Sequence, residues 1–250
     1  MTEEPPQRLI SITIRNMNSN QKRILLFDID GTLLDPQGEG YVFMRRALEE
    51  VYGTAGPIDD YDMSGKTDWQ IITELMGLVG LAPDQISDQI EEAFSAYAGH
   101  IARAAPDLKL EPLPGVLALL EGLSQEKGFL LGLLTGNVRE AAPHKLRAAG
   151  MDPGIFKFGA YGSERLERRL LPALALERAG KMLGREISVE DALVIGDTPR
   201  DIACARHAGM KVLCVTTGQY NRETLAAHAP DYLLDSLGNL PAVMAILSEF

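Results

Sequence analysis

From Leu113 onward, helical stretches and short apolar runs alternate without interruption, and that alternation admits few folds. Residues 115–126 precede the run FLLGLLT at 129–135, residues 139–149 precede IFKFGAYG at 155–162, and residues 172–183 precede ALVIGD at 192–197. A fourth pair joins residues 199–208 to KVLCVTTG at 211–218, and a short strand, DYLLDS at 231–236, comes before a terminal helix. Helices feeding strands in this way predict a parallel sheet covered on both faces. Near the N-terminus, Ile24–Phe27 is a further run, apolar to its last residue, as a strand buried on both faces requires. The pattern therefore predicts an α/β protein with a doubly wound, Rossmann-like parallel sheet.

Between the first strand and Leu113 the texture is different. Val42, Ala47, Leu48 and Val51, then Ile71, Ile72, Leu75 and Met76, then Ile86, Ile90, Phe94 and Tyr97 recur at helical spacing. Gly53–Pro57, Gly80–Pro83 and Pro106 punctuate them, which predicts a small all-helical domain inserted after the first strand. The expected partition is an α/β core at 23–38 and 109–250, a helical unit at 39–108, and a poorly ordered N-terminal extension at 1–22 with one alternating stretch, Leu9–Ile14.

Composition narrows the function. The 24 basic and 35 acidic residues give a net charge of −11, which disfavours partners such as nucleic acid or an anionic membrane. No run reaches the roughly 18 apolar residues needed to span a bilayer, and no basic-then-apolar signal pattern opens the chain. Cys204 and Cys214 lie among apolar neighbours without metal-ligand spacing and read as buried reduced thiols, so a cytoplasmic setting is expected. His100, His144, His207 and His228 fall on expected helices or their ends, away from strand ends, where structural roles fit better than catalysis.

Three strands end in polar residues suited to phosphoryl chemistry. Asp28 and Asp30 follow ILLF, Thr135-Gly136-Asn137 follows LLGLL, and Gly196-Asp197 follows ALVI. In such sheets ligands bind outside the carboxyl ends of the strands, so the three endings should converge on one pocket. Two aspartates two residues apart repel each other unless a cation sits between them, which implies a hard metal such as Mg2+.

The motifs DIDGTLL at 28–34, LLTGN at 133–137 and GDTPRD at 196–201 resemble those of the haloacid dehalogenase superfamily, and the match can be followed from Ile24 to Ser236. The helical insert is similar to that family's C1-type cap, and the chain resembles the phosphoglycolate phosphatase branch. The resemblance implies a Mg2+-dependent phosphatase (a phosphoric monoester hydrolase) acting on a small phosphorylated metabolite through an aspartyl-phosphate. In that reading Asp28 is the nucleophile and Asp30 the general acid and base. Thr135, with the backbone at Gly136 or Asn137, would hold the transferring phosphoryl group. The metal would be bound by Asp28, the carbonyl of Asp30 and Asp197, with Asp201 behind them or acting as a first-turn helix acid. Thr198 is expected to cap that helix.

The family's third motif usually supplies a Lys, whereas GSERLERRLLPALALERAG offers Arg165, Arg168 and Arg169. Spacing from the LALER helix selects Arg168 as the cation that offsets the acids and holds phosphoryl oxygens. In SGKTD at 64–68, Thr67 or Asp68 can cap a helix, and Lys66 is placed to reach a substrate carboxylate or phosphate from the cap. The rival readings are a phosphomutase of the β-phosphoglucomutase type, a phosphonate carbon–phosphorus hydrolase using Lys66, and a catalytically silent scaffold. The expected state is a monomer or homodimer.

Overall fold

The computed structural model describes residues 22–250, so the expected extension and the stretch Leu9–Ile14 lie outside the described residues. Strand β1 (Arg23–Phe27) is followed by a short β2 (Leu34–Asp35) and three helices, α1 (Glu39–Tyr52), α2 (Asp68–Leu78) and α3 (Pro83–Ala104). The chain returns through β3 (Glu111–Pro112) to α4 (Val116–Gln125), β4 (Phe129–Thr135), α5 (Ala142–Ala148) and β5 (Phe158–Tyr161). It continues through α6 (Leu171–Leu183), β6 (Ala192–Gly196), α7 (Pro199–His207), β7 (Lys211–Val215), α8 (Arg222–Ala227), β8 (Tyr232–Leu234) and α9 (Leu240–Glu249).

Among the described residues the main sheet has the order β5-β4-β1-β6-β7-β8, and each neighbouring pair is parallel. β1 is the first of the described strands in sequence yet lies inside the sheet, between β4 and β6, so the chain winds outward from it in both directions. That reversal places the ends of β4, β1 and β6 side by side. Register fixes the alignment: Phe27 is opposite Leu133 on one side and Ile195 on the other.

Alternation along the strands sorts the core into two layers. Leu25 and Phe27 pack with Leu131, Leu133 and residues of α4 and α9, while Ile24 and Leu26 pack with Leu134, Val194 and residues of α6 and α7. The side chains of Ile24, Leu25, Leu26 and Phe27 are all fully buried, which is why the run after Arg23 carries no polar residue before Asp28. α1, α2 and α3 form their own cluster around Met44, Leu48, Ile72, Leu75 and Phe94, joined by Val138 and Ala141 from the sheet side. The antiparallel pair β2–β3, with Leu34 opposite Pro112, ties together the two chain segments leading to this helical unit. No described helix is long and apolar enough to cross a membrane.

Four features differ from what the sequence predicts. The strand expected at 155–162 spans only Phe158–Tyr161, because Asp152 caps a 3-10 turn at Pro153–Ile155 by accepting from the Gly154 amide. The run expected at 211–218 leaves the sheet after Val215, and Thr217 turns to donate to the carbonyl of Gly31 at 2.7 Å. The β2–β3 pair and α8 were not expected.

Candidate active site

Each acid of the site leaves a strand or a helix start, so backbone geometry fixes its direction. Asp28 follows β1 directly, and its amide donates to the carbonyl of Ile195 at 2.9 Å, continuing the pairing with β6. Asp197 follows β6 and accepts from the Thr32 hydroxyl at 2.8 Å. Asp201 lies in the first turn of α7, where Thr198 caps the helix as expected. One oxygen of Asp201 accepts from the Thr198 hydroxyl at 2.7 Å and amide at 3.0 Å. One carboxylate oxygen from each of Asp28, Asp197 and Asp201 lies within 4.8 Å of the others, and all three residues are buried.

Such a cluster is electrostatically costly. Burial, with the nearby Asp201 and Asp30, pushes the Asp28 carboxyl up to about 6 although Arg168 pulls the other way. Burial and the charges of Asp201 and Asp28 hold Asp197 well above the usual carboxylate range. Buried hard oxygens that resist ionisation together are a suitable donor set for a divalent cation, which removes the penalty. The surrounding backbone is fitted closely to this set. Gly31, at φ +81°, would place a Cβ 2.7 Å from the Asp197 carboxyl carbon, so both its conformation and its missing side chain are required there.

Arg168 is brought into the same centre. It sits in a 3-10 turn before α6, 6% exposed, with Nη2 3.0 Å from Asp28 Oδ2 and also paired with Asp201 Oδ1. Arg169, by contrast, pairs with Glu167 at the surface, and Arg165 donates to the Glu164 carbonyl. Thr135 is fully buried, and its hydroxyl oxygen accepts from Asn137 Nδ2 at 2.8 Å. The Asn137 Nδ2 also donates to Asp30 Oδ2 at 2.8 Å, linking the ends of β4 and β1.

Lys145, on α5, is a site residue that sequence reasoning misses. It is 4% exposed, with Nζ 2.5 Å from Asp30 Oδ2 and 2.8 Å from Asn137 Oδ1. It shares the buried face of α5 with Ala142 and Leu146, a face that so short a helix does not declare in sequence.

The helical unit closes one side of a cavity of about 400 Å3, whose lining includes Asp28, Asp30, Gly136, Lys145, Arg168 and Asp197. Lys66 also lines this cavity, but its ammonium is engaged by Glu74 at 2.8 Å and the Tyr61 hydroxyl at 2.7 Å. Segment 64–69 is hydrogen-bonded to the core along its length. The Asp68 amide donates to Gly136 O at 2.7 Å, the Thr67 hydroxyl to Leu166 O at 2.8 Å, and Arg200 to Ser64 O at 2.7 Å. Arg168 donates to the Gly65 carbonyl at 3.2 Å, so the same side chain touches the helical unit and the acids.

Thr67 caps α2, accepting from the Gln70 amide at 3.0 Å, which leaves Asp68 for another task. Asp68 faces the cavity and accepts from the Val138 amide at 2.7 Å. Burial pushes its carboxyl up to about 7, against the opposing effects of Lys145 and the Val138 bond. Its folded pKa thus exceeds the unfolded value of about 3.9. The associated stability is full below about pH 4 and is lost as pH rises through about 7. Asp68→Asn, which keeps an oxygen for Val138, is expected to flatten this loss in metal-free protein. Thermal melts at pH 5 and pH 8 would read it; an unchanged difference between the two would refute the assignment.

The fold and the site define a Rossmann-like α/β protein with an acidic centre at the switch point of its sheet, faced by a helical insert. The profile of the haloacid dehalogenase-like hydrolase family matches residues 25–215, and the chain belongs to that family. A phosphoglycolate phosphatase from Synechococcus elongatus is 28% identical over 216 residues, covering 86% of this chain and 94% of that protein. The pyrophosphatase PpaX from Halalkalibacterium halodurans is 27% identical over 224 residues, covering 89% of this chain and 96% of its own. Among solved structures, a haloacid dehalogenase-like hydrolase from Bacteroides fragilis superposes with a TM-score of 0.66 at 25% identity, over 88% of this chain and 99% of that one. CbbY from Rhodobacter sphaeroides, solved with xylulose-(1,5)bisphosphate, has a TM-score of 0.65 at 21% identity over 88% and 96% of the two chains.

Proposed function

We propose that this hydrolase is a Mg2+-dependent phosphatase of small phosphorylated metabolites, working through a phosphorylated Asp28. The observation that carries the reading is the convergence of Asp28, Asp197 and Asp201 around Arg168, with Asp30 beside them on one cavity. Asp28 attacks the phosphorus of a monoester, forming an Asp28–phosphoryl bond as the ester oxygen departs. Asp30 passes a proton to that oxygen, then accepts one from the water that attacks the phosphoryl group and frees Asp28. One hard displacement thereby becomes two easier ones.

Arg168, with the Thr135 hydroxyl and the backbone at Gly136 and Asn137, holds the phosphoryl oxygens while charge builds on them. Mg2+, held by Asp28, Asp197 and the carbonyl of Asp30 with Asp201 behind them, would shield the attacking carboxylate from the negative charge of the phosphate. The helical unit acts as the cap that excludes water from the cavity.

Relatives that carry the names phosphoglycolate phosphatase and pyrophosphatase over nearly their whole lengths support this class. A cavity of about 400 Å3 supports a small substrate. Carbon–phosphorus cleavage through a Lys66 Schiff base has less support, because Glu74 and Tyr61 engage that ammonium.

The test is inorganic phosphate release from phosphoglycolate, sugar phosphates and pyrophosphate, with Mg2+ and with chelator. Release from a narrow subset, lost with chelator, is expected. No release from any of them in the presence of Mg2+ would overturn the reading, and turnover that depends on an added bisphosphate would redirect it to a phosphomutase.

A further inference from the structure

The two oxygens of the Asp30 carboxylate differ in their surroundings. Oδ2 accepts from Lys145 Nζ at 2.5 Å and from Asn137 Nδ2 at 2.8 Å. Oδ1 is buried and has no partner among the described residues. An unpartnered buried carboxylate oxygen is unfavourable in a resting fold and is therefore a place to look for function. Lys145 is equally notable. A lysine amine 4% exposed needs hydrogen-bond partners inside the protein, and here those partners are Asp30 and Asn137. Asn137 is fixed in turn by Thr135, so its amide cannot flip without losing bonds at both ends.

We propose that Lys145 is a positioning residue for proton transfer. Together with Asn137 it occupies Oδ2 of Asp30, so the proton given to the departing ester oxygen rides on Oδ1. The inference rests on the phosphatase reading. In the first step the Oδ1–H bond breaks as the proton moves to the ester oxygen, which keeps the electron pair of the broken P–O bond. In the second step Oδ1 takes a proton from water as the water oxygen bonds to phosphorus and the Asp28–phosphoryl bond breaks. Lys145 is neither donor nor acceptor of the transferred proton in either step; it only holds Oδ2. Were it absent, the carboxyl could present either oxygen and rotate between them, and fewer encounters would have the proton in place.

The experiment compares kcat/KM for an alkyl phosphate with that for 4-nitrophenyl phosphate in wild-type protein and in Lys145→Met. This ratio reports steps only through departure of the alcohol, so slow hydrolysis of phospho-Asp28 does not mask the effect. An alkoxide needs a proton to leave; 4-nitrophenolate does not. The expected result is a loss of about 100-fold on the alkyl ester and less than about 5-fold on the aryl ester. Equal losses on both esters, the outcome for a merely structural lysine, would overturn the proposal, as would undiminished activity on the alkyl ester. Asp30 keeps its side chain 31% exposed, so it can hydrate when the cation is removed, and the fold is expected to survive. Lys145→Gln provides a second neutral variant with the same expected pattern. The phosphatase reading fails separately, if wild-type protein releases no phosphate from either ester.

Discussion

Asp28→Asn is expected to abolish phosphate release, lowering it by roughly 10^4-fold or more, as loss of a covalent nucleophile does elsewhere. The amide of Asn is isosteric with the carboxylate but cannot attack phosphorus, and no other carboxylate leaves β1 at that position. The same substitution should leave the metal-free fold as stable as wild type or more so. Burial together with Asp201 and Asp30 raises the Asp28 carboxyl to about 6, which marks its charge as a liability in the absence of a cation. Arg168 loses one partner but retains Asp201. Activity and stability therefore move in opposite directions, and a variant that had merely unfolded would lose both. Phosphate release and a thermal melt in chelator read the two effects. Residual turnover within tenfold of wild type would remove Asp28 from the chemistry.

The strand ends are legible in sequence because a buried strand leaves little freedom for the residue at its exit. Asp28, Thr135 and Asp197 each come directly at or after an apolar run, and adjacency of β4, β1 and β6 brings them together. Arg168 is reachable through the spacing between its turn and Pro172, since the start of α6 fixes where the preceding residues can point. Lys145 is not legible in the same way. Its direction depends on which face of α5 is packed against the sheet, and a seven-residue helix carries too little periodicity to declare that face. Asp68 reads as a cap because acids are ordinary at helix starts; only the tertiary contact with Val138 distinguishes it from Thr67. Lys66 does lie on the expected cavity, but Glu74 sits two turns further along the chain in α2 and its claim on the ammonium is a tertiary fact.

Arg168→Met should have the second largest effect, and it should act on stability and catalysis by the same cause. Burial works against the guanidinium charge, yet the carboxylates of Asp201 and Asp28 more than restore it, so the side chain stays protonated throughout the working pH range. Without that cation, Asp28, Asp197 and Asp201 form a buried cluster of like charge with nothing to oppose it. Removing one partner from a buried ion pair costs about 3–5 kcal/mol. For a chain of this size that corresponds to a fall of roughly 6–20 °C in Tm when chelator is present. Mg2+ supplies the missing charge, so the metal should raise the melting temperature of Arg168→Met by more than it raises that of wild type. Catalysis should fall by about 10^2–10^3-fold even with Mg2+ saturating, because the donor that holds the phosphoryl oxygens is gone. Thermal melts of both proteins with chelator and with Mg2+ decide the matter. Equal metal-induced shifts would show that Arg168 does not balance the acidic cluster, and unchanged turnover would show that it does not hold the phosphoryl group.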